Sequence, residues 1–369
     1  MFIPSAKSKV SLILLLSIAI ILFLWTENSK VMRKKDYFEE KLAAAKLMQE
    51  AEQMLKNHRR QQGVFIDEVN DPNKTGLIGE RITSITTQNG SLPSKLTTLN
   101  PNFAAVFVEM FKKAGIKKND KIAISYTGSF PALNIAVLSA AEVLGLNPVI
   151  TSSVGASMFG ATDPDFTILD IETILNEKDI LDYKSRAASI GGGEDLGRGL
   201  SKNGRDKILR AIKRNNVELI KSDDLEGNVE KKWELYQKTF PDKETQLFVN
   251  IGGGLTSVGY VEDRQTIEPG LHRYMDERTL SEVGIMYRFA KKNIPIIHIE
   301  DVLTLADEYH LPTAPSPLPE PGTGWVFREK SYNLTVTAIS LVIMVILITI
   351  VIIYDRKKQD FSTKELEQD

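Results

Sequence analysis

The apolar run from Leu334 to Tyr354 (LTVTAISLVIMVILITIVIIY) limits the fold more than any other stretch. It contains no charged residue and stops at Asp355-Arg356-Lys357-Lys358. A bilayer core about 30 Å thick takes roughly 20 apolar residues as a helix, so residues 334–354 read as a transmembrane helix. A second apolar run, Val10 to Trp25, follows Lys7 and Lys9. It is short for a span, which leaves two readings, a signal peptide or an uncleaved anchor at 10–25. The residues after Trp25 (TENSK) offer no A-x-A-like cleavage site and favour the anchor.

Two spans place both ends of the chain on one side of a membrane. The basic residues after Tyr354 favour a cytoplasmic tail at 355–369, with residues 1–9 on the same side and the middle of the chain outside the cytoplasm. Lys30, Arg33, Lys34 and Lys35, just past the first apolar run, argue the other way. A long domain translocates largely regardless of flanking charge, so the extracytoplasmic orientation is preferred.

Between the spans three regions are expected. Residues 26–62 form a helical stalk or an arm packed on the domain, because Phe38, Leu42, Ala45, Met48, Ala51 and Leu55 recur at spacings of three and four. A self-associating coiled coil is the weaker alternative, given the Ala-rich seam. Residues 311–333 open with LPTAPSPLPEPGTG, a proline-rich linker that favours extended conformations and acts as a spacer. Residues 63–310 hold the globular domain.

Within that domain, Lys121 to Gly145 (KIAISYTGSFPALNIAVLSAAEVLG) reads as strand, tight turn and buried helix. Gly128 frees the turn, Ser129 can cap the helix, and Pro131 suits a first helical turn because it lacks an N–H that needs a partner. Further strands are expected at Pro148–Ser152, Ala187–Ile190, Val217–Ile220, Leu247–Ile251 and Ile294–Ile299. Helices are expected from near Asn100-Pro101 and at Phe166–Asn176, Ser201–Arg214, Glu277–Lys291 and Val302–Tyr309. The alternation predicts an α/β fold: a largely parallel, Rossmann-like sheet with helices on both faces.

Such sheets bind ligands beyond the carboxyl ends of their strands. Polar and glycine-rich residues gather at those ends: Thr127, Gly128 and Ser129; Ser152 and Ser153 with Gly155; Gly191, Gly192 and Gly193; Asn250 with Gly252, Gly253 and Gly254. Together they make a candidate cleft, although each turn alone could serve only the fold. Glu194-Asp195 and Glu300-Asp301 are candidate acid/base or cation-binding carboxylates, with solvated loop charge or helix capping as the plainer account. Lys95, Arg198 and Arg205 are the candidate cations for holding a carboxylate.

Several chemistries are excluded or disfavoured. The formal net charge of −2 gives no reason to expect nucleic acid, and the absence of cysteine removes thiolate chemistry and cysteine-held metals. Gly199 and Gly204 have Walker-like spacing, but Arg205-Asp206 replaces the Lys-Ser/Thr that phosphate and magnesium require. No G-x-G-x-x-G follows a strand, no G-x-S-x-G elbow occurs, and His58, His272, His298 and His310 are scattered. Neither a cofactor nor a metal is expected.

The segments LIGERITSITTQNGSLPSKLTTLNPNFAAVFVEMFKKAGI, YTGSFPALNIAVL, VITSSVGAS, IGGGEDLGRGLS and NIGGGLTSVG, in this order between Leu77 and Ile299, resemble the poly-γ-glutamate system protein family (PgsW type). The resemblance implies a membrane protein of the bacterial cytoplasmic membrane, working with poly-γ-glutamate synthase or export subunits and possibly contacting the polymer. It carries no catalytic residues across.

Three functions are weighed. The first is an accessory component of poly-γ-glutamate capsule synthesis or export, whose domain meets polymer or synthase through the glycine turns with Lys95, Arg198 and Arg205. The second is a cryptic amide-bond hydrolase or transferase using Ser129, Ser153 or a strand-end carboxylate. The third is a pure scaffold, in which the glycine turns serve only the fold.

Overall fold

The computed structural model describes residues 8–239, 245–260 and 267–366, without the side chains of 358–366. It divides into two compact units, a domain from Asp36 to Phe327 and a terminal unit made of the chain on either side of it.

In the terminal unit the chain begins with α1 (Lys9–Asn28) and β1 (Val31–Lys34). At 1.5 Å per residue the 20 residues of α1 reach about 30 Å, so this helix is longer than the apolar run alone foretold.

The domain opens with α2 (Phe38–Gln61), β2 (Thr86–Gln88), α3 (Leu92–Thr98) and α4 (Phe103–Lys113). Then come β3 (Lys121–Thr127), α5 (Pro131–Leu144), β4 (Asn147–Ser153), β5 (Ala156–Ser157), α6 (Ile168–Glu177), β6 (Ala187–Ser189), α7 (Lys202–Arg214) and β7 (Glu218–Leu219). It closes with α8 (Leu225–Thr239), β8 (Thr245–Ile251), α9 (Leu255–Val258), β9 (Gly270–His272), α10 (Ile285–Lys291), β10 (Ile296–Ile299) and α11 (Val302–Glu308). The terminal unit resumes with β11 (Arg328–Ser331) and α12 (Leu334–Leu366). There β1 pairs antiparallel with β11, and Thr26 Oγ1 donates to Ser340 Oγ at 3.2 Å between α1 and α12. Lys9–Asn28 and Leu334–Lys357 are both long and apolar enough to cross a membrane.

The domain is α/β. Its seven-stranded sheet has the order β7-β6-β4-β3-β8-β10-β9, parallel throughout except for β9, which runs antiparallel to β10. Side-chain alternation along each strand explains the layers. Ile122, Ile124 and Tyr126 of β3, with Leu247, Val249 and Ile251 of β8, join one core with α2, α4, α5 and α6. Ala123, Phe248 and Ile296 face a second core with α8 and α10. Each fully buried Ile, Leu or Phe contributes about 1.5–3 kcal/mol, and burial on both faces is why these strands are nearly all apolar. From β3 the chain builds outward through β4, β6 and β7, then returns to place β8 on the other side of β3. The order therefore reverses between β3 and β8, and a crevice opens there beyond the strand ends.

Several expectations are corrected. The segment read as stalk or arm is an arm: Ala44, Ala45, Met48, Ala51 and Leu55 of α2 are wholly buried in the domain core. Its alanines let the helix lie close to α4 and α5, which a coiled-coil seam would not need. The proline-rich segment is a strap on the domain. Asn73 Nδ2 donates to the Pro315 carbonyl at 2.8 Å, the Ala314 amide to Thr97 Oγ1 at 2.9 Å, and Val326 and Phe327 at its end are buried. The long helix expected at Glu277–Lys291 splits into a 3-10 turn (Glu277–Thr279) and α10, interrupted at Gly284, where a β-carbon would lie 2.7 Å from the Ser257 carbonyl. Helices α3 and α8 and strand β9 were not foreseen.

Candidate functional site

The cleft is built from the turns that follow β3, β4, β6 and β8. Gly128, after β3, donates its amide to the Ser153 carbonyl at 2.9 Å. A β-carbon there would sit 2.6 Å from the Val154 carbonyl, so only glycine allows the two strand ends to approach. Asn134 Nδ2 holds the Thr127 carbonyl at 2.9 Å and fixes the start of α5 to the end of β3. Pro131 opens α5 as expected, but Ser129 does not cap it; its Oγ accepts from the Ser157 amide at 3.0 Å. Ser129 therefore pins the turn after β3 to β5.

After β6 the chain winds through Gly191, Gly192, Gly193, Glu194 and Asp195. All but Gly193 have positive φ, including the non-glycine residues Glu194 (53°) and Asp195 (60°). The Gly197 amide bonds the Gly191 carbonyl at 2.7 Å and the Gly193 amide bonds the Arg198 carbonyl at 3.1 Å. This tight loop turns its two carboxylates apart. Glu194 pairs with the exposed Arg198, while Asp195 is buried and accepts from Ser153 Oγ at 2.9 Å and Ser189 Oγ at 2.8 Å.

The resulting cavity, about 230 Å³, is lined by Thr127, Ser129, Ser153, Gly155, Gly191, Gly192, Gly193, Asp195, Gly253, Gly254, Leu255 and Glu300. Thr87 and Gln88 also line it, because β2 pairs with β5. Eleven of the residues singled out from the sequence as candidate site residues thus meet in one place: Thr127, Ser129, Ser153, Gly155, the three glycines after β6, Asp195, Gly253, Gly254 and Glu300.

The others stand behind the wall or away from it. Gly128 shapes the wall as described above. Ser152 is wholly buried beside Tyr126 in the ladder. Asn250 Nδ2 donates to the Gly252 carbonyl at 2.9 Å and lies 2.9 Å from His298 Nδ1, so both Asn250 and Gly252 brace the turn after β8. Asp301 caps α11, accepting from the Leu303 and Thr304 amides at 3.1 Å each, whereas its neighbour Glu300 does reach the cleft.

None of the three expected cations lines the cavity. Arg198 is tied to Glu194, and Arg205 Nη1 donates to the Leu200 carbonyl at 2.6 Å. Lys95 is buried, and burial lowers its pKa to about 7; it donates to the Ser129 carbonyl at 2.5 Å and to Ser157 Oγ at 2.9 Å. Burial disfavours the ammonium, and the lysine braces the turn from behind.

The basic group that does reach this site is Lys232, which lies outside every motif considered. It sits on α8, wholly buried, with Nζ 2.7 Å from Thr256 Oγ1, 3.2 Å from Ser153 Oγ and 3.4 Å from Asp195 Oδ2. Burial pushes its pKa down, and the Asp195 carboxylate opposes that shift. One signal was present: Leu225, Val229 and Tyr236 mark the apolar face of α8, and Lys232 falls on that face. A lysine so placed must find a buried partner. The outcome is a hydroxyl, an amine and a carboxylate in mutual contact at a cavity wall. Among the described residues no group of three or more His, Asp or Glu is arranged to hold a metal ion.

No family model matches this chain, and neither a curated protein nor a solved structure does.

Proposed function

We propose that the chain is a membrane-anchored accessory component of a poly-γ-glutamate synthesis or export system. In this reading α1 and α12 span the bacterial cytoplasmic membrane. The Rossmann-like domain stands on its outer face and takes a short polar ligand in the cleft. The observation that supports it is a coincidence of place. The segments carrying the family resemblance, YTGSFPALNIAVL, VITSSVGAS, IGGGEDLGRGLS and NIGGGLTSVG, are the ones whose residues Thr127, Ser153, Gly191 to Gly193 and Gly253-Gly254 line one cavity.

The mode of contact differs from a cationic clamp. Among the described residues the ionisable groups lining the cavity are Asp195 and Glu300, and Lys232 lies directly behind Asp195. Carboxylates accept hydrogen bonds and repel other carboxylates. The polymer would therefore be met at its amide backbone or its amino end, where N–H donors are available.

The test is a capsule assay after deletion of the gene, with complementation by the wild type and by Gly128→Val, which blocks the approach of Val154. Deletion should abolish cell-associated polymer and the variant should fail to restore it. Normal polymer in the deletion strain would overturn the process. Full rescue by a stably inserted Gly128→Val would instead favour a scaffold whose turns serve only the fold.

A further inference from the structure

We propose that Ser153 is a nucleophile and Lys232 its general base, so that the cleft carries out acyl transfer on amides. This rests on the cleft being a ligand site, but not on which polymer or process it serves.

Ser153 ends β4 and lines the cavity, and Lys232 approaches it from the core side of the sheet. The Oγ to Nζ distance of 3.2 Å is the reach a base needs to take a hydroxyl proton. A serine becomes nucleophilic beside such a base, which is itself oriented by a third group. Thr256 Oγ1 at 2.7 Å and Asp195 Oδ2 at 3.4 Å hold the amine in place. Asp195 Oδ1 and Ser189 Oγ hold the serine.

At rest the Ser153 hydroxyl donates to Asp195. A hydroxyl proton turns freely about the Cβ–Oγ bond, and rotation aims it at the Lys232 nitrogen. Of the three groups around Lys232 Nζ, Thr256 Oγ1, Asp195 Oδ2 and Ser153 Oγ, the Ser153 hydroxyl is the one that a nucleophile in the cavity requires. Complete burial also favours the neutral amine that a base requires.

The step balances without any co-reactant except water. Ser153 Oγ bonds to the amide carbonyl carbon as its proton passes to Lys232 Nζ. The carbon–nitrogen bond then breaks, and Lys232 returns that proton to the departing nitrogen, leaving an amine and an acyl ester on Ser153. Water attacks the ester, giving its proton to Lys232, which hands it to Ser153 Oγ as the ester bond breaks. The acid is released, and an amine in place of water gives transfer. At about 230 Å³ the cavity is smaller than the ~300–1,000 Å³ typical of drug-sized sites, so it admits an extended amide or a single acyl unit.

The experiment treats the full-length protein in detergent micelles with a fluorophosphonate probe and locates the adduct by mass spectrometry. The wild type should be phosphonylated at Ser153, and Ser153→Ala should not be labelled. Lys232→Arg keeps a positive charge and hydrogen-bond donors but cannot lose its proton near neutrality, so labelling should fall about 10²-fold or more. Absence of an adduct on wild-type Ser153 would overturn the proposal, whatever the variants do. A folded Lys232→Arg labelled at the wild-type rate would overturn the lysine's role. Neither result bears on the capsule assay, and an unaltered capsule would leave the labelling result standing.

Discussion

Lys95 Nζ lies 2.5 Å from the carbonyl oxygen of Ser129, so a lysine of α3 holds the turn whose other face lines the cleft. The same ammonium sits 3.6 Å from the centre of the Phe130 ring. The contact links the conformation of the site to a titratable group inside the domain.

Burial lowers the Lys95 pKa from 10.5 to about 7. Between those values the unfolded chain binds more protons than the folded one, so stability rises with pH from about 7 towards 10.5 and is lost as pH falls through 7. Lys95→Met should remove this contribution, flattening the gain in melting temperature of the full-length protein between pH 7 and pH 9. An unchanged slope in the variant would show that Lys95 is not the group responsible.

Glu52 of α2 has the opposite sign. Burial pushes its pKa well above 4.5 and the nearby Asp71 charge adds to the shift; Glu52 Oε1 and Asp71 Oδ1 both lack hydrogen-bond partners. A raised folded pKa contributes stability that is present below about 4.5 and lost as pH rises through the folded value. Glu52→Gln should therefore stabilise the protein at pH 8 and have less effect at pH 4.5, as read by thermal melts at the two pH values.

The pair Lys41–Glu109 fastens α2 to α4 at 2.7 Å, with Lys41 also donating to the Val326 carbonyl of the strap at 3.1 Å. Its two halves are unequal, because Glu109 also has Lys113 at 2.7 Å. Glu109→Ala leaves a buried ammonium without a counter-charge and should cost about 3–5 kcal/mol. Lys41→Met leaves Glu109 paired and should cost less. Chemical denaturation of the two variants, followed by tryptophan fluorescence, gives the comparison, and equal losses would refute the asymmetry.

Two glycines of one segment should respond differently to alanine. A β-carbon on Gly204 would fall 1.9 Å from the Ser84 carbonyl, and backbone must shift, at about 1–3 kcal/mol or more. Gly199 has open space around it but a φ of 88°, so alanine there meets only backbone strain of about 1–2 kcal/mol. The larger fall in melting temperature is expected for Gly204→Ala. The reverse order would mean that the first turn of α7 yields more easily than the packing implies.

What the sequence determined by itself is local. The apolar run Ile122–Tyr126, the turn residues Gly128 and Gly191 to Gly193, and the apolar run at Leu334–Tyr354 each state their own conformation, because a short apolar run, a glycine-rich turn and helical apolar length are properties of neighbouring residues. From these the α/β class, the parallel sheet and most of the cleft's glycine wall could be read. Tertiary structure decided which faces meet. The apolar stripe of α2 reads the same whether it packs on its own domain or on another chain, and α4 and α5 supply the answer. Arg198 and Arg205 carry the right charge in the right loop, yet the left-handed turn at Glu194 and Asp195 sends one carboxylate outward to Arg198 and the other inward. Lys232 comes within 3.2 Å of Ser153 across 79 residues of chain. That contact depends on β8 returning beside β3 and on α8 covering the same face, and no local pattern encodes a strand order.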